Sequence, residues 1–592
     1  MGSKPRKSGL VAAEDNQASS AHTLFRGSDS SLIVAEDSGV SVPFDSSDRD
    51  PRGPVPCRPA SRSPWGQSRG RVVVWVTFLT ALVSAVGYFR EAVFASRLGA
   101  SASMDAYLAA LFVPNTLYFV LIAGTISPVF MAVFSQHETG SHEEALVVFR
   151  VTTTFSAVVL SALVVLGMST ARFWLPLVFS GFSPGQLQLS LQILYVIFPS
   201  IVFLGLAGIV AALLNSLAHF TTPALSPAMY ALATVPVLLL APQNRLVQWL
   251  TIATAFGLAA QLFVQLPTAA ALGVHWRPNF NFRHPALRQL MRLAVPLLAY
   301  LVVANASLVI ERNIASKLAT GAVSVVNYAT RLFTIPGNLL IMPLAVVFYP
   351  SFAREAARKE RGNLGSELRD ALRVTVFLAL PVGCWMVMYA LPLTRLVFER
   401  GQFDLSNSAR TAGMLAFYSL GLLPNALAVI LLRAFYALQD TITPLVAEGA
   451  NLLCYAWAAP RLARHYGVSG LGAARAGSFL LVALVLILVL RRKLAEFWPR
   501  LSGAGFLLKI ICGCCLMGLA TGLAWRSLDN IFEHHQFGVR SLVVAFLGGL
   551  GATVYLGTCY FLGVREVRLI LSSSFGWLKP IRAVSGPQGT SV

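Results

Sequence analysis

The candidate charges inside long apolar runs are Arg90 beside Glu91, Glu311 beside Arg312, and Arg331, Arg433 and Glu448 singly. A charge held in hydrocarbon costs several kcal/mol, so each requires a partner or a water-filled cavity. Neighbouring positions on a helix point about 100° apart, which predicts that each member of the two adjacent pairs finds its partner elsewhere. For Arg90 and Arg331 the chemistry is that of guanidinium forks gripping a phosphate or pyrophosphate, with Arg312 a further candidate for the same site. The alternative is interhelical pairing with Glu91 or Glu311. Arg97 and Lys317 lie near the ends of their runs, where snorkelling to the interface is the default. Asp105 follows a Ser-Ala-Ser turn and either caps the helix it opens or orients a cavity arginine or answers a coupling ion. Pro114, Gly124, Pro336 and Gly337 interrupt two of the runs and read as gating hinges or as static kinks.

Hydrolytic chemistry is missing from the pattern. The sequence has neither a phosphate-binding Gly-rich loop ending in Lys-Ser or Lys-Thr nor a His-Glu-x-x-His run. The reading is therefore a transporter without a cofactor, driven by an ion gradient, the membrane potential or the substrate gradient. The cysteines, including Cys512, Cys514 and Cys515, lie among apolar residues and read as packing groups, with no metal site. His137 and His142 read as loop residues with a solvated role.

The elements that carry these residues follow from composition. Of 592 residues 56% are hydrophobic and 12% charged, with mean hydropathy +0.66, which excludes a soluble enzyme. Repeated apolar runs of roughly 20 residues predict an all-α polytopic membrane protein. Fourteen spans fit, at 72–97, 104–136, 145–170, 187–213, 221–241, 247–273, 287–318, 323–353, 367–391, 407–437, 443–463, 469–490, 503–526 and 538–563. Residues 1–71 read as a disordered cytoplasmic tail rich in Ser, Pro, Arg and Asp. They hold ten basic and eight acidic side chains, so most of the net +20 belongs to the membrane body. Two causes are open: Arg- and Lys-rich cytoplasmic loops, and a cationic cavity for an anionic substrate. Nucleic acid is not a partner on this reading, because no soluble basic domain exists to hold it. Arginine clusters in alternate loops place both termini in the cytoplasm. The loop with Arg395, Arg400 and Arg410 departs from that rule.

An internal repeat gives the architecture. Ala95-Ser96-Arg97-Leu98 returns as Ala315-Ser316-Lys317-Leu318; Pro114, Leu117, Pro128 and Phe130 return as Pro336, Leu339, Pro350 and Phe352; Ser216-Leu217 with Thr222-Pro223 returns as Ala437-Leu438 with Thr443-Pro444. The offset stays between 220 and 222 residues. Two pseudo-symmetric six-helix lobes follow, 72–273 and 274–491, with an added helix pair at 492–565 and a cytoplasmic tail at 566–592. Parallel repeats place a cavity between the lobes, the arrangement of an alternating-access transporter.

Several segments carry a family pattern: Gly87 to Arg90 with Ala95 to Ala100, Asp105-Ala106-Tyr107 with Pro114-Asn115, Tyr328-Ala329-Thr330-Arg331-Leu332 with Ile335-Pro336, Phe398-Glu399-Arg400-Gly401-Gln402-Phe403, and Phe435 to Asp440 with Thr443-Pro444. Together they resemble the MurJ/MviN family over about residues 72–565. The resemblance implies a lipid II flippase of the multidrug/oligosaccharidyl-lipid/polysaccharide exporter superfamily, with a role in peptidoglycan biosynthesis, cell-wall biogenesis and cell shape. It would move undecaprenyl-pyrophosphate-linked precursor from the cytoplasmic to the periplasmic leaflet of the bacterial inner membrane. It implies membrane lipids and cell-wall synthesis proteins as partners. Arg90, Arg331 and Asp105 match the family's cavity positions. Ser84, Tyr118-Phe119, Ala123 and Thr330 replace charges usual in the family, which keeps open a flippase for another polyprenyl-linked glycan. A cation-coupled exporter of small molecules and a non-transporting scaffold are the readings from other classes.

Overall fold

A computed structural model describes residues 65–567 apart from 139, 276, 359–360, 495–502 and 535–536. The tails read at 1–71 and 566–592 fall almost wholly outside the described residues, as do Cys57, Lys359 and Arg500. Helix α1 (Trp65–Leu98) begins seven residues earlier than the tail boundary.

Among the described residues every regular element is helical. After α1 come α2 (Ala102–Glu138), α3 (His142–Ser169), the short α4 (Ala171–Val178), α5 (Pro184–Ile197), α6 (Ser200–Ser216), α7 (Thr221–Leu240) and α8 (Gln243–Ala271). The chain continues through α9 (Pro285–Ser316), α10 (Ala322–Ala357), α11 (Arg361–Met388), the short α12 (Ala390–Phe398), α13 (Leu405–Ser419), α14 (Leu422–Ala437), α15 (Ile442–Tyr466), α16 (Val468–Lys493), α17 (Gly503–His534) and α18 (Phe537–Phe561). Eleven helices are long and apolar enough to cross a membrane, or up to 13 if each of two bent pairs is one span. The sequence count of fourteen also includes α15. That helix has 25 residues and so the length to cross, but it is not among the helices that pass on apolarity. Glu448, Arg461 and Arg464 dilute its run.

Local features recur in the two halves 219 to 222 residues apart. The α5/α6 pair bends by 47° and the α13/α14 pair by 45°. Each pair opens on a side-chain cap: Ser183 accepts from the Gln186 amide at 3.3 Å, and Asp404 accepts from the Asn407 amide at 2.8 Å. After each pair a non-glycine residue turns the chain with positive φ, Ala218 at 60° and Gln439 at 58°. The long helices α2 and α10 both pass through a π-helical segment, Tyr118–Ile126 and Gly337–Ile341. The hinge candidates sit at these wide turns. Pro114 precedes the first, Pro336 and Gly337 open the second, and Thr125 closes the first by donating to the Val120 carbonyl at 2.6 Å. Gly124 has a packing role as well: a Cβ there would lie 2.6 Å from Leu301 of α9. Helices α17 and α18 pair with each other and lean on α11 and α12.

Candidate functional site

Helices α1, α2, α9 and α10 enclose a cavity of about 290 Å³. Its wall carries Arg90 and Glu91 from α1, Arg312 from α9 and Arg331 from α10. A second cavity of about 220 Å³ shares Arg90, Glu91 and Arg331 and continues past Ser84, Gly87, Thr334 and Asn338. Three cations and one carboxylate leave the first wall with net charge +2.

The expectation that Arg90 and Glu91 find partners elsewhere is corrected. Arg90 Nη2 donates to Glu91 Oε1 at 2.8 Å, and Arg331 Nε stands 3.5 Å from the same oxygen. Backbone direction separates adjacent Cβ atoms, but a long guanidinium stem can fold back, and burial removes the water that would otherwise compete. Glu91 thus joins α1 to α10 and also accepts from Asn327 Nδ2 at 3.4 Å. Arg90 is buried, lies 4.1 Å over the Tyr230 ring, and keeps a buried Nε with no acceptor among the described residues. Arg331 leaves 49% of its side chain exposed to the cavity side. Both arginines are thus paired with Glu91, as the interhelical reading expects, and both line the cavity wall.

Glu311 and Arg312 do separate as expected. Glu311 receives the Arg475 guanidinium of α16 and the Tyr455 hydroxyl of α15, the latter at 3.1 Å. Arg475 also donates to Ser307 Oγ at 2.9 Å and stacks 3.9 Å over Tyr455. Arg312 donates to the Val323 carbonyl at 3.1 Å and lies 5.8 Å from the Phe112 ring. Sequence reasoning missed Arg475, Tyr230 and Asn327. Arg475 was visible as a charge seven residues into an apolar run; the other two carry no signal of their own.

Asp105 does not cap its own helix, nor does it line the cavity. Ser101 caps α2, accepting from the Met104 amide at 3.3 Å. Asp105 is 2% exposed and caps α10 instead: it accepts from the Gly321 amide at 2.7 Å, the Ser324 amide at 2.8 Å and the Ser324 hydroxyl at 2.6 Å. It ties the start of α2 to the start of α10. Arg97, at the end of α1, donates to the Ala241 carbonyl at 2.6 Å.

The same end of the bundle holds further contacts between the halves. Gln402 N donates to the Ser96 carbonyl at 2.8 Å, and Tyr328 Oη donates to the Gly99 carbonyl at 3.3 Å. Gly321, at φ +85°, packs so closely that a Cβ would lie 2.1 Å from the Ala100 carbonyl. Arg410 donates to Thr320 O at 3.1 Å, Arg400 lies 4.1 Å from the Phe537 ring, and Arg395 pairs with Glu399 at 2.8 Å and with Glu533. This explains the loop that departs from the charge rule: its arginines are engaged within the fold. Toward the other end, the Met342–Ala357 segment of α10 packs on α11 and α14, while the Ser127–Glu138 segment of α2 packs on α3 and α6.

Comparison with known proteins agrees with this architecture. Residues 94–546 match the model of the family described as lipid II flippase MurJ. The lipid II flippase MurJ of Burkholderia cenocepacia is 30% identical over 519 residues, covering 84% of this chain and 98% of that protein. The probable lipid II flippase MurJ of Vibrio cholerae is 27% identical, covering 83% and 95%. A solved structure of lipid II flippase MurJ in an inward closed conformation superposes with TM-score 0.68 at 22% identity, over 85% of this chain and 99% of that one. An inward-facing multidrug resistance MATE family transporter of the MOP superfamily gives 0.59 at 12% identity, over 70% and 95%. The chain is a multi-pass membrane protein and belongs to the lipid II flippase MurJ family.

Proposed function

We propose that the chain is an alternating-access flippase that moves lipid II, an undecaprenyl-pyrophosphate-linked peptidoglycan precursor, from the cytoplasmic to the periplasmic leaflet of the inner membrane. The observation that carries this is a cavity between the two halves whose wall holds Arg90 and Arg331 on one carboxylate, Glu91, together with Arg312. A pyrophosphate diester carries two negative charges, matching the net +2 of the wall. Guanidinium forks bind such oxygens bidentately. The headgroup can cross through this cavity while the polyprenyl tail stays in lipid, so no charged glycan is dragged through hydrocarbon.

On this reading the fourteen helices form two six-helix lobes, α1–α8 and α9–α16, with α17–α18 added. The recurring bends, caps and π-segments support it. The end sealed by Asp105, Gly321 and Gln402 is the periplasmic gate, both termini are cytoplasmic, and the arginine cavity loads from the cytoplasmic side. Asp105 is a gate residue here, and the substrate set is Arg90, Arg331 and Arg312. Export of cationic drugs fits poorly with a net positive wall. A different polyprenyl-linked glycan keeps one observation in its favour: Phe119 of the cavity wall stands where the family usually carries a charge.

The test is complementation of a strain depleted of its lipid II flippase, with an assay of headgroup exposure at the outer surface. Restored growth with restored exposure supports lipid II as substrate. Good membrane expression with neither assigns the cavity to another lipid-linked glycan.

A further inference from the structure

One sequence motif has no place in substrate binding: Phe398-Glu399-Arg400-Gly401-Gln402-Phe403, the loop between α12 and α13. Phe398 and Phe403 are buried against the Tyr328 ring, with centroids 4.8 and 5.3 Å away. Gly401 has φ +57°, and a Cβ there would lie 2.3 Å from the Ser96 carbonyl. Gln402 donates its amide to that carbonyl, so the tip of the loop closes directly on the end of α1. Six residues before Ser96 in the same helix stands Arg90.

The back of the loop is held from the added helix pair. Glu399 takes Arg395 at 2.8 Å on one carboxylate oxygen and Arg540 of α18 at 3.3 Å on the other. Arg540 also donates its Nε to the Phe532 carbonyl at 3.0 Å, at the end of α17. Arg395 is paired with Glu533 of α17, and Arg400 stacks on Phe537 of α18. The four residues of this network, Arg395, Glu399, Glu533 and Arg540, come from α12, the loop, α17 and α18 in turn. A short loop with a left-handed glycine loses conformational entropy when it docks, of order 1 kcal/mol per ordered residue. A loop already fixed from behind has that cost removed before it closes.

We propose that Glu399 and Arg540 are positioning residues of the gate: they preset the 398–403 loop so that Gly401 and Gln402 seal the end of α1. Helices α17 and α18 thereby govern closure through the loop. This rests on the alternating-access reading, in which the seal forms and breaks in each cycle.

The experiment measures the gate itself. In the full chain, with native cysteines replaced by alanine, spin labels at Arg245→Cys and Ser406→Cys report the distance across the sealed end in proteoliposomes. Glu399→Gln and Arg540→Gln should each raise the ratio of long to short distances roughly three- to tenfold, as expected for loss of one charge-assisted contact. The double variant should move no further than the larger single effect, because both residues serve one brace. Phe537→Ala leaves every charge in place and should shift the ratio in the same direction, which guards against a folding defect in the charge variants. Unchanged distances in both single variants, or a double effect equal to the product of the singles, would overturn the proposal. Transport assays on Arg90→Ala test the flippase reading separately. A gate that answers to Glu399→Gln in a chain that does not flip lipid II keeps this inference and removes that reading.

Discussion

Glu91 holds both Arg90 and Arg331, so on the proposed reading an incoming pyrophosphate has to compete with its carboxylate for them. Arg90→Ala and Arg331→Ala should therefore abolish headgroup exposure at the outer surface while the protein stays inserted, and Lys at either position should restore only part, lacking the planar fork. Parent-level exposure in a normally expressed Ala variant would reduce that arginine to a packing role. Glu91→Gln should do the opposite to binding: affinity for the lipid pyrophosphate rises about tenfold, and turnover falls because release is slowed, as when a ligand favours one state too strongly. Binding to purified protein and flipping rate, measured together, check the split; loss of affinity would show that Glu91 only orients the arginines. Outside the spans, burial opposes ionisation of Asp440, but the Lys493 ammonium at 2.5 Å and the Thr443 hydroxyl and amide outweigh it and hold the carboxyl down to about 2. A pKa depressed in the folded state gives stability that is full above the ordinary value near 4 and is lost as pH falls toward 2. Thermal unfolding in detergent should lose midpoint between pH 5 and 2, and Asp440→Asn should flatten that part of the profile.

At the scale of elements, the seal depends on helix ends rather than on helix faces. Asp105→Ala leaves the amides of Gly321 and Ser324 and the Ser324 hydroxyl without their acceptor, a cost of about 1–3 kcal/mol per buried group. It should open the sealed end, and increased labelling of a cysteine placed at Ser324 by an impermeant reagent checks this; unchanged labelling would make Asp105 a local cap only. Glu311→Gln leaves Arg475 buried without its counter-ion and should destabilise the α9–α15–α16 contact by about 3–5 kcal/mol. Both arrangements show how far sequence reaches. Apolar run length gave the long helices, and the repeat of Pro114, Pro336 and their neighbours gave the register at which bends and π-turns recur. Depth of a charge was legible for Glu311, but its direction was not: Arg475 went unread, and only packing shows that the two face each other. Asp105 was read one element too locally, because its partners come from a helix 216 residues away. Helix α15 was legible as a helix by position and by its echo of α7, although its charges weaken its apolar signal.

Across the whole molecule the contacts are unequal at the two ends. Near Ser96 and Gly99 the halves meet through backbone hydrogen bonds and left-handed glycines, contacts that depend on atomic fit and cannot be stretched gradually. At the opposite end the terminal segments of α2 and α10 pack chiefly on helices of their own halves, and the halves touch there through side chains, Gln289 of α9 donating to Gln136 of α2 at 2.9 Å. A two-state seal of this kind makes the rest of the cycle testable. A disulfide between cysteines placed at Ser96 and Gln402, whose backbones already share a 2.8 Å hydrogen bond, should hold the sealed end shut. Under oxidation the lipid should still load from the cytoplasmic side with parent affinity, while headgroup exposure at the outer surface stops; a thiol reductant should restore it. Loading and exposure must separate in this way if the two halves move as bodies around a central site, since binding needs only the open end and delivery needs the other to part. Continued exposure with the disulfide intact would place the exit elsewhere than between α1 and the 398–403 loop, and with it the two-body account of transport in this chain.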